Sequence, residues 1–197
     1  VMEGKAVLFK HFAGIDVFDI EVNAPSVEAF IETVVNIAPT FGGINLEDIA
    51  APHCFRIENE LRARLDIPVF HDDQHGTAVI VAAALSNALE LQGKTLSGAK
   101  IVFLGAGAAG CSCARLLKLM GATHITMVDK SGVLDTARAD LHDNNRHLAV
   151  APSSAKTLAD VMPGADVFIG VSAANALSAD FLKLMATKPV VFALANP

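Results

Sequence analysis

The chain has 197 residues, of which 52% are hydrophobic and 18% charged, so it can bury a substantial core and is not expected to be disordered. Its net charge of −6 argues against nucleic acid or an anionic membrane surface as the main partner. The most apolar long run, residues 78–91, is interrupted by Ser86-Asn87 and is too short to span a bilayer.

Cysteine usage indicates the compartment. Cys54, Cys111 and Cys113 follow neither a disulfide spacing nor a zinc-ligand spacing. Free thiols in apolar surroundings are typical of a reducing environment, so we expect a cytoplasmic protein.

The first part of the chain predicts two short strands within residues 5–22, separated by Gly14, because apolar residues alternate loosely there. Apolar residues at helical spacing predict a helix over 25–38. The chain begins without methionine and stops at Pro197, directly after a predicted strand, so we expect a fragment of a longer protein.

Two acidic pairs, Glu47-Asp48 and Asp72-Asp73, each follow an apolar run that predicts a strand, over 44–46 and 67–70. A helix is predicted between them, over 52–65. The loop after the second pair ends at Gly76, and Thr77 is the predicted cap of the following helix.

This strand–helix–strand arrangement predicts a metal site, because carboxylates at the ends of neighbouring strands converge. Oxygen ligands favour Mg²⁺ or Mn²⁺ over zinc or copper. The alternative is that both pairs are solvated turn residues. The nearby His53, His71 and His75 are interpreted as supporting or surface residues, and Lys5 and Lys10 as surface charges on chemical grounds alone.

The second half alternates strands and helices. Strands are predicted over 100–104, 124–128, 147–151, 166–171 and 189–194, with helices from the glycine loop to Met120 and over 178–186. This order predicts an α/β fold with a doubly wound, Rossmann-like parallel sheet. We predict one segment over residues 1–76, which carries the metal and substrate site, and a dinucleotide-binding domain over 77–197.

A glycine-rich turn follows the strand at 100–104 and opens a helix, and Asp129 lies nineteen residues after its last glycine. That context is what a dinucleotide-binding fingerprint requires. The predicted cofactor-binding residues are Gly105, Ala106, Gly107, Ala108, Ala109, Gly110, Asp129 and Lys130. Asp129 suits the ribose hydroxyls of NAD, whereas Lys130 and Arg138 suit the 2′-phosphate of NADP, so the choice stays open. The alternative is a tight turn without a ligand.

Taken together, these residues resemble the malic enzymes, most of all the bacterial type, from Gly4 to the C-terminus. The specific parts are Leu-Glu-Asp at 46–48, Phe-His-Asp-Asp-Gln-His-Gly-Thr-Ala at 70–78, the glycine loop and Phe-Ala-Leu-Ala-Asn-Pro at 192–197. The resemblance implies oxidative decarboxylation of malate to pyruvate and CO₂, with NAD or NADP as hydride acceptor, in a homo-oligomer.

The resemblance also implies residue roles. Glu47, Asp48 and Asp73 match the ligands of Mg²⁺ or Mn²⁺, Lys5 matches the catalytic lysine, and Asp72 matches an assisting carboxylate. Asn196 matches an asparagine that contacts substrate and nicotinamide. The chain departs from the family pattern because it has no tyrosine, the residue to which the last protonation is attributed. A substrate-binding arginine loop and a second asparagine-bearing loop of the family are also missing. We therefore expect the fragment alone to be weakly active or inactive.

Two other functions are compatible with these residues. One is an NAD(P)-dependent dehydrogenase that oxidises another hydroxy acid without decarboxylation, which would lack the metal requirement. The other is a non-catalytic dinucleotide-binding module, in which loss of Lys5 would change nothing.

Overall fold

A computed structural model describes residues 1–195, which form two compact units, Val1–His71 and a second that begins at Asp72. The break lies a few residues before the domain boundary predicted after residue 76. Within residues 1–195, no helix has both the length and the apolar composition needed to cross a membrane.

The first unit contains three helices and a pair of strands. Its elements are α1 (Met2–Ala13), α2 (Val27–Ile37), a 3₁₀ turn (Ala38–Thr40), β1 (Ile44–Leu46), α3 (His53–Arg64) and β2 (Val69–His71). The two strands pair in parallel. Buried apolar side chains of α2, β1 and α3 form the core of this unit: Ile31, Val34, Leu46, Ile57 and Leu61.

The prediction of two strands within residues 5–22 is wrong, because residues 2–13 form α1 and residues 14–22 form no regular element. Helix signals outweigh the loose alternation. Glu3 lies in the first turn, and Lys10 and His11 lie in the last turn. An acidic group at the start of a helix and basic groups at its end interact favourably with the helix dipole. Gly14 adopts a left-handed conformation (φ 68°) and its N–H bonds the Lys10 carbonyl, which ends the helix.

The second unit is a five-stranded sheet with helices. Its elements are α4 (Asp72–Leu91), β3 (Lys100–Leu104), α5 (Ala108–Leu119), β4 (His124–Asp129), β5 (Gly132–Val133), α6 (Asp143–Arg146), α7 (Leu158–Val161), β6 (Val167–Gly170), α8 (Ala179–Leu184) and β7 (Val190–Ala193). The strand order is β5-β4-β3-β6-β7, and only the short edge strand β5 runs antiparallel.

Alternate residues of the central strands enter different cores. Ile101 and Phe103 pack with α4 and α5 in one cluster, whereas Val102 packs with residues around α7 and α8 in another. A strand buried on both faces is typical of a parallel sheet that helices cover on both sides. The predicted doubly wound α/β fold is confirmed.

Two predictions for this unit fail. Helix α4 begins at Asp72 rather than after a cap at Thr77, because acidic side chains are favoured in the positively polarised first turn of a helix. The prediction of a strand over 147–151 is wrong, because this segment forms only an isolated β-bridge between Asp135 and Val150 within residues 1–195.

Candidate functional site

The glycine loop joins β3 to α5 in a turn that only glycine fits at two of its positions. Gly105 has a φ of 120°, and a Cβ there would lie 3.1 Å from the backbone of Val171. A Cβ on Gly110 would overlap the Gly105 carbonyl oxygen. Strand, turn and helix therefore pack against one another through these glycines.

Gly107 differs because it faces open space. Among residues 1–195, a Cβ built on it meets no atom within 4 Å, and no side chain caps the helix that starts after it. The N-terminus of a helix with unobstructed space in front suits an anion such as a pyrophosphate. The residues therefore fit the phosphate part of a dinucleotide.

Asp129 ends β4 beside this loop. Strands β3 and β4 are parallel, with Leu104 opposite Val128, and the Gly105 N–H donates to the Val128 carbonyl at 2.8 Å. Glycine loop and carboxylate therefore lie at the carboxyl edge of adjacent strands, where open α/β sheets bind ligands. Lys130, the next residue, is exposed.

Arg138 holds the Asp129 carboxylate through two parallel hydrogen bonds, from Nη1 to Oδ1 and from Nη2 to Oδ2, both 2.9 Å long. It also donates to Asp140, from Nε at 2.9 Å and from Nη2 at 2.7 Å. Hydrogen bonds from Arg138 lower the pKa of Asp140 to about 2, and the two carboxylates raise the pKa of Arg138. The sequence indicated Arg138 as a cation near Asp129, but not its double pairing.

A cavity of about 230 Å³ adjoins Arg138; its lining is Ser131, Val133, Asp135, Ala137, Arg138 and Lys156. Lys156 Nζ lies 2.6 Å from Asp135 Oδ2, and its ammonium lowers the pKa of that carboxyl. This second ion pair was not predicted, because its members lie in loops without a periodic pattern.

In the first unit, Lys5 of α1 approaches Glu47, the residue after β1. Lys5 Nζ lies 2.6 Å from Glu47 Oε2, and the Glu47 side chain is only 4% exposed. Asn45 donates to the same oxygen at 3.1 Å. Lys5 is therefore no isolated surface charge. Asp48 follows with a positive φ of 54°, which few residues other than glycine adopt.

In the second unit, Asp72 and Asp73 occupy the first turn of α4. A Cβ on Gly76 would overlap Asp72 Oδ1, so the Asp72 side chain folds back over the space that this glycine leaves. A glycine inside a helix is otherwise unfavourable, and here it allows a specific carboxylate position.

His71, the last residue of β2, is fully buried, and neither of its ring nitrogens has a hydrogen-bond partner within residues 1–195. A surface position, one of the two interpretations of His71 from the amino-acid pattern, is therefore wrong. Asn196, predicted to contact the cofactor, lies outside the described residues.

The parallel sheet, its glycine turn at the end of β3 and the aspartate at the end of β4 define a Rossmann-type dinucleotide-binding domain. The chain belongs to the malic enzyme family. The family model "Malic enzyme, NAD binding domain" matches residues 74–197, and "Malic enzyme, N-terminal domain" matches residues 1–62.

Relatives support this assignment along the whole chain. It is 54% identical to an NAD-dependent malic enzyme of Rhizobium meliloti and 51% identical to an NADP-dependent malic enzyme of Halomonas elongata, each over 199 residues. These matches cover 100% of the chain but 26% and 47% of the relatives. The chain thus spans half the length of these relatives or less.

Solved structures of malic enzymes support the same family assignment. The NAD-dependent malic enzyme of Thermotoga maritima superimposes with a TM-score of 0.93 at 46% identity, covering 100% of this chain and 53% of that one. A malic enzyme of Entamoeba histolytica gives a TM-score of 0.90 at 39% identity, covering 96% and 42%.

Proposed function

We propose that the protein oxidatively decarboxylates malate to pyruvate and CO₂, reducing NAD or NADP, in a reaction that depends on Mg²⁺ or Mn²⁺. The observation that carries the proposal is the 2.6 Å approach of Lys5 to the buried carboxylate of Glu47. It brings the lysine that the family resemblance names as a base to a carboxylate that the same resemblance names as a metal ligand. Membership of the malic enzyme family supports it.

The metal ligands in this proposal are Glu47, Asp48 and Asp73. All three offer carboxylate oxygens, the donors that Mg²⁺ and Mn²⁺ prefer. In the parallel pair of β1 and β2, Leu46 lies opposite His71, so the chain leaves both strands at one edge, into Glu47 and Asp72. These carboxylates would hold the ion, which would supply a Lewis acid for the C2 oxygen of malate.

Lys5 is the proposed general base. In this role its amine would accept the proton of the malate C2 hydroxyl, and a bound NAD or NADP would accept the hydride from C2. Helix α1 carries this amine, and Glu47 and Asn45 fix the surroundings of Lys5 Nζ. Asp72 has the assisting role, and its position over Gly76 limits the directions in which its carboxylate can point.

The dinucleotide occupies the second unit in this proposal. The glycine loop and the start of α5 would hold its pyrophosphate, and Asp129 would accept hydrogen bonds from the adenosine ribose. Asn196 is proposed to contact substrate and nicotinamide. The chain contains no tyrosine, so it provides no tyrosine hydroxyl to protonate C3 of the product enol.

We also propose a cytoplasmic, homo-oligomeric protein. Its three cysteines are buried and form no disulfide within residues 1–195, and burial raises the pKa of Cys111 to about 11 and of Cys113 to about 12. Thiols in that state are poor nucleophiles and suit a reducing compartment.

The test is an assay of the whole protein with malate, MnCl₂ and either NAD or NADP, in which reduced cofactor, pyruvate and CO₂ are each quantified. The proposal expects the three products in equal amounts and their loss when EDTA removes the metal. Reduced cofactor without CO₂ would instead identify a simple hydroxy-acid dehydrogenase, and no turnover with either cofactor would contradict an enzymatic role.

A further inference from the structure

Every N–H group of the Arg138 guanidinium is already engaged. The five N–H donors of an arginine face Asp129 and Asp140 through four hydrogen bonds, while Nη1 also approaches the carbonyl oxygens of Gly132 and Val133 at 3.2 and 3.3 Å. The Arg138 side chain is 14% exposed. An incoming phosphate can reach this cation only by displacing one of its carboxylates.

The Asp129 carboxylate can accept a further hydrogen bond. Its Oδ1 accepts from Arg138 and from the Ser131 N–H, whereas Oδ2 accepts from Arg138 and from no other group of residues 1–195. Because each carboxylate oxygen offers about two acceptor directions, Oδ2 can still accept a ribose hydroxyl. The arrangement therefore favours a neutral hydroxyl donor over a phosphate dianion.

The charged residues around Arg138 do not favour binding of an anion either. Asp129, Asp135 and Asp140 are balanced by Arg138, Lys156 and Lys130, three charges of each sign. Lys156 is paired with Asp135, and Lys130, which is exposed, takes part in none of the ion pairs found within residues 1–195.

The two partners of Arg138 differ in one respect. The Asp140 side chain is 56% exposed, whereas that of Asp129 is 22% exposed. Asp140 can therefore be removed with little effect on packing, and its loss releases the Nε and Nη2 donors of Arg138 on the solvent side.

We infer that Asp140 is a specificity-determining residue: by saturating Arg138, it disfavours a 2′-phosphate and makes the domain prefer a dinucleotide with a free 2′-hydroxyl, NAD rather than NADP. Asp140 itself touches no cofactor in this inference and acts through Arg138. The inference rests on the proposed binding of a dinucleotide with its adenosine ribose at Asp129.

The experiment is calorimetric titration of the whole protein with 5′-AMP and with adenosine 2′,5′-bisphosphate, so no turnover is required. We expect the wild type to bind 5′-AMP at least as tightly as the bisphosphate. Asp140→Ala should tighten the bisphosphate about tenfold, as a newly available charge-assisted contact does, and leave 5′-AMP within about twofold. In the double variant Asp140→Ala/Arg138→Ala, that gain should disappear.

The matched control is Asp180→Ala. Asp180 forms an exposed ion pair with Lys183 on α8, at 2.9 Å, and its replacement should change neither affinity. A wild type that prefers the bisphosphate, an unchanged ratio in Asp140→Ala, or a gain that survives loss of Arg138 would each overturn the inference. If neither probe binds the wild type, the dinucleotide-binding proposal fails first, and this inference fails with it.

Discussion

Lys5 Nζ lies 2.6 Å from Oε2 of Glu47, and the Glu47 side chain is 4% exposed while that of Lys5 is 24% exposed. A carboxylate so nearly removed from water is stable only if it is paired or neutralised. Lys5 supplies the positive charge that this carboxylate needs in place of water. The pair therefore links the proposed base to the proposed metal ligand.

The first prediction separates the positive charge of Lys5 from its proposed role as a general base. Lys5→Arg keeps a cation for Glu47, but an arginine stays protonated and cannot act as a base. We expect the melting temperature to change little and kcat for malate to fall about 10²–10⁴-fold.

Lys10→Ala is the control on the same helix. Lys10 pairs with Asp16 at 2.6 Å, but both side chains are more than half exposed, at 62% and 81%, so the pair contributes little. Its kcat should equal that of the wild type. Retention of full activity by Lys5→Arg would exclude Lys5 as the base.

The second prediction concerns Glu47. Glu47→Gln preserves shape and removes the charge, so Mn²⁺ affinity should fall at least about tenfold. Titration of free Mn²⁺ by electron paramagnetic resonance measures this without catalysis. Glu28→Gln, which removes an exposed partner of Arg56, is the control and should bind Mn²⁺ normally. Equal Mn²⁺ affinity in both variants would remove Glu47 from the ligand set.

The third prediction uses two glycines of the same loop. In Gly110→Ala the new Cβ overlaps the Gly105 carbonyl, so we expect a loss of about 3 kcal/mol and a melting temperature lower by about 6 °C or more. Gly107→Ala has open space and a φ of −82°, so stability should hold, but NAD affinity should fall about tenfold or more as the pyrophosphate is kept away. Thermal melts and calorimetry distinguish the two, and a Gly107→Ala variant with normal affinity would contradict the placement of the pyrophosphate.

The fourth prediction concerns Gly76 of α4. Alanine normally stabilises a helix interior by about 1 kcal/mol relative to glycine. Here the added Cβ displaces the Asp72 carboxylate, so Gly76→Ala should lose activity without the expected gain in stability. Gly4→Ala is the matched control, because a Cβ at Gly4 of α1 meets nothing within 4 Å. That variant should gain stability, and if Gly76→Ala behaves the same way in melting and activity, the close approach of Asp72 to Gly76 has no functional role.

The sequence was sufficient for the nucleotide-binding unit because its signals are local and agree with one another. The strand at 100–104, the glycine spacing and Asp129 each predict the same β-α-β unit, and the structure contains it. Element ends were less predictable. Gly76 suggested a loop after Asp72-Asp73, but those aspartates start α4, since the dipole favours them there and Asp72 occupies the space above Gly76.

Sequence reasoning missed the N-terminal helix and the ion pairs of Arg138 for different reasons. Apolar residues around Gly14 fit both a strand and a helix, and the charges at the ends of α1 decide between them. Arg138 and Asp140 lie two residues apart in a chain segment without regular periodicity. The way in which Arg138 bridges Asp129 and Asp140 depends on how the loop after β5 returns to the end of β4, which no local pattern encodes.

The last prediction concerns acid. Arg138 lowers the pKa of Asp140 from 3.8 to about 2, so the folded state binds this proton less readily than the unfolded state does. A carboxylate with a lowered pKa adds stability above its unfolded value, and that contribution is lost as the pH falls towards the folded value. The difference in melting temperature between wild type and Asp140→Asn should therefore be constant above pH 5 and shrink between about pH 4 and pH 2. Because Asp140 is 56% exposed, 1 M NaCl should also reduce the difference at neutral pH. A difference that persists unchanged at pH 2 would mean that the Arg138–Asp140 pair does not contribute to folding.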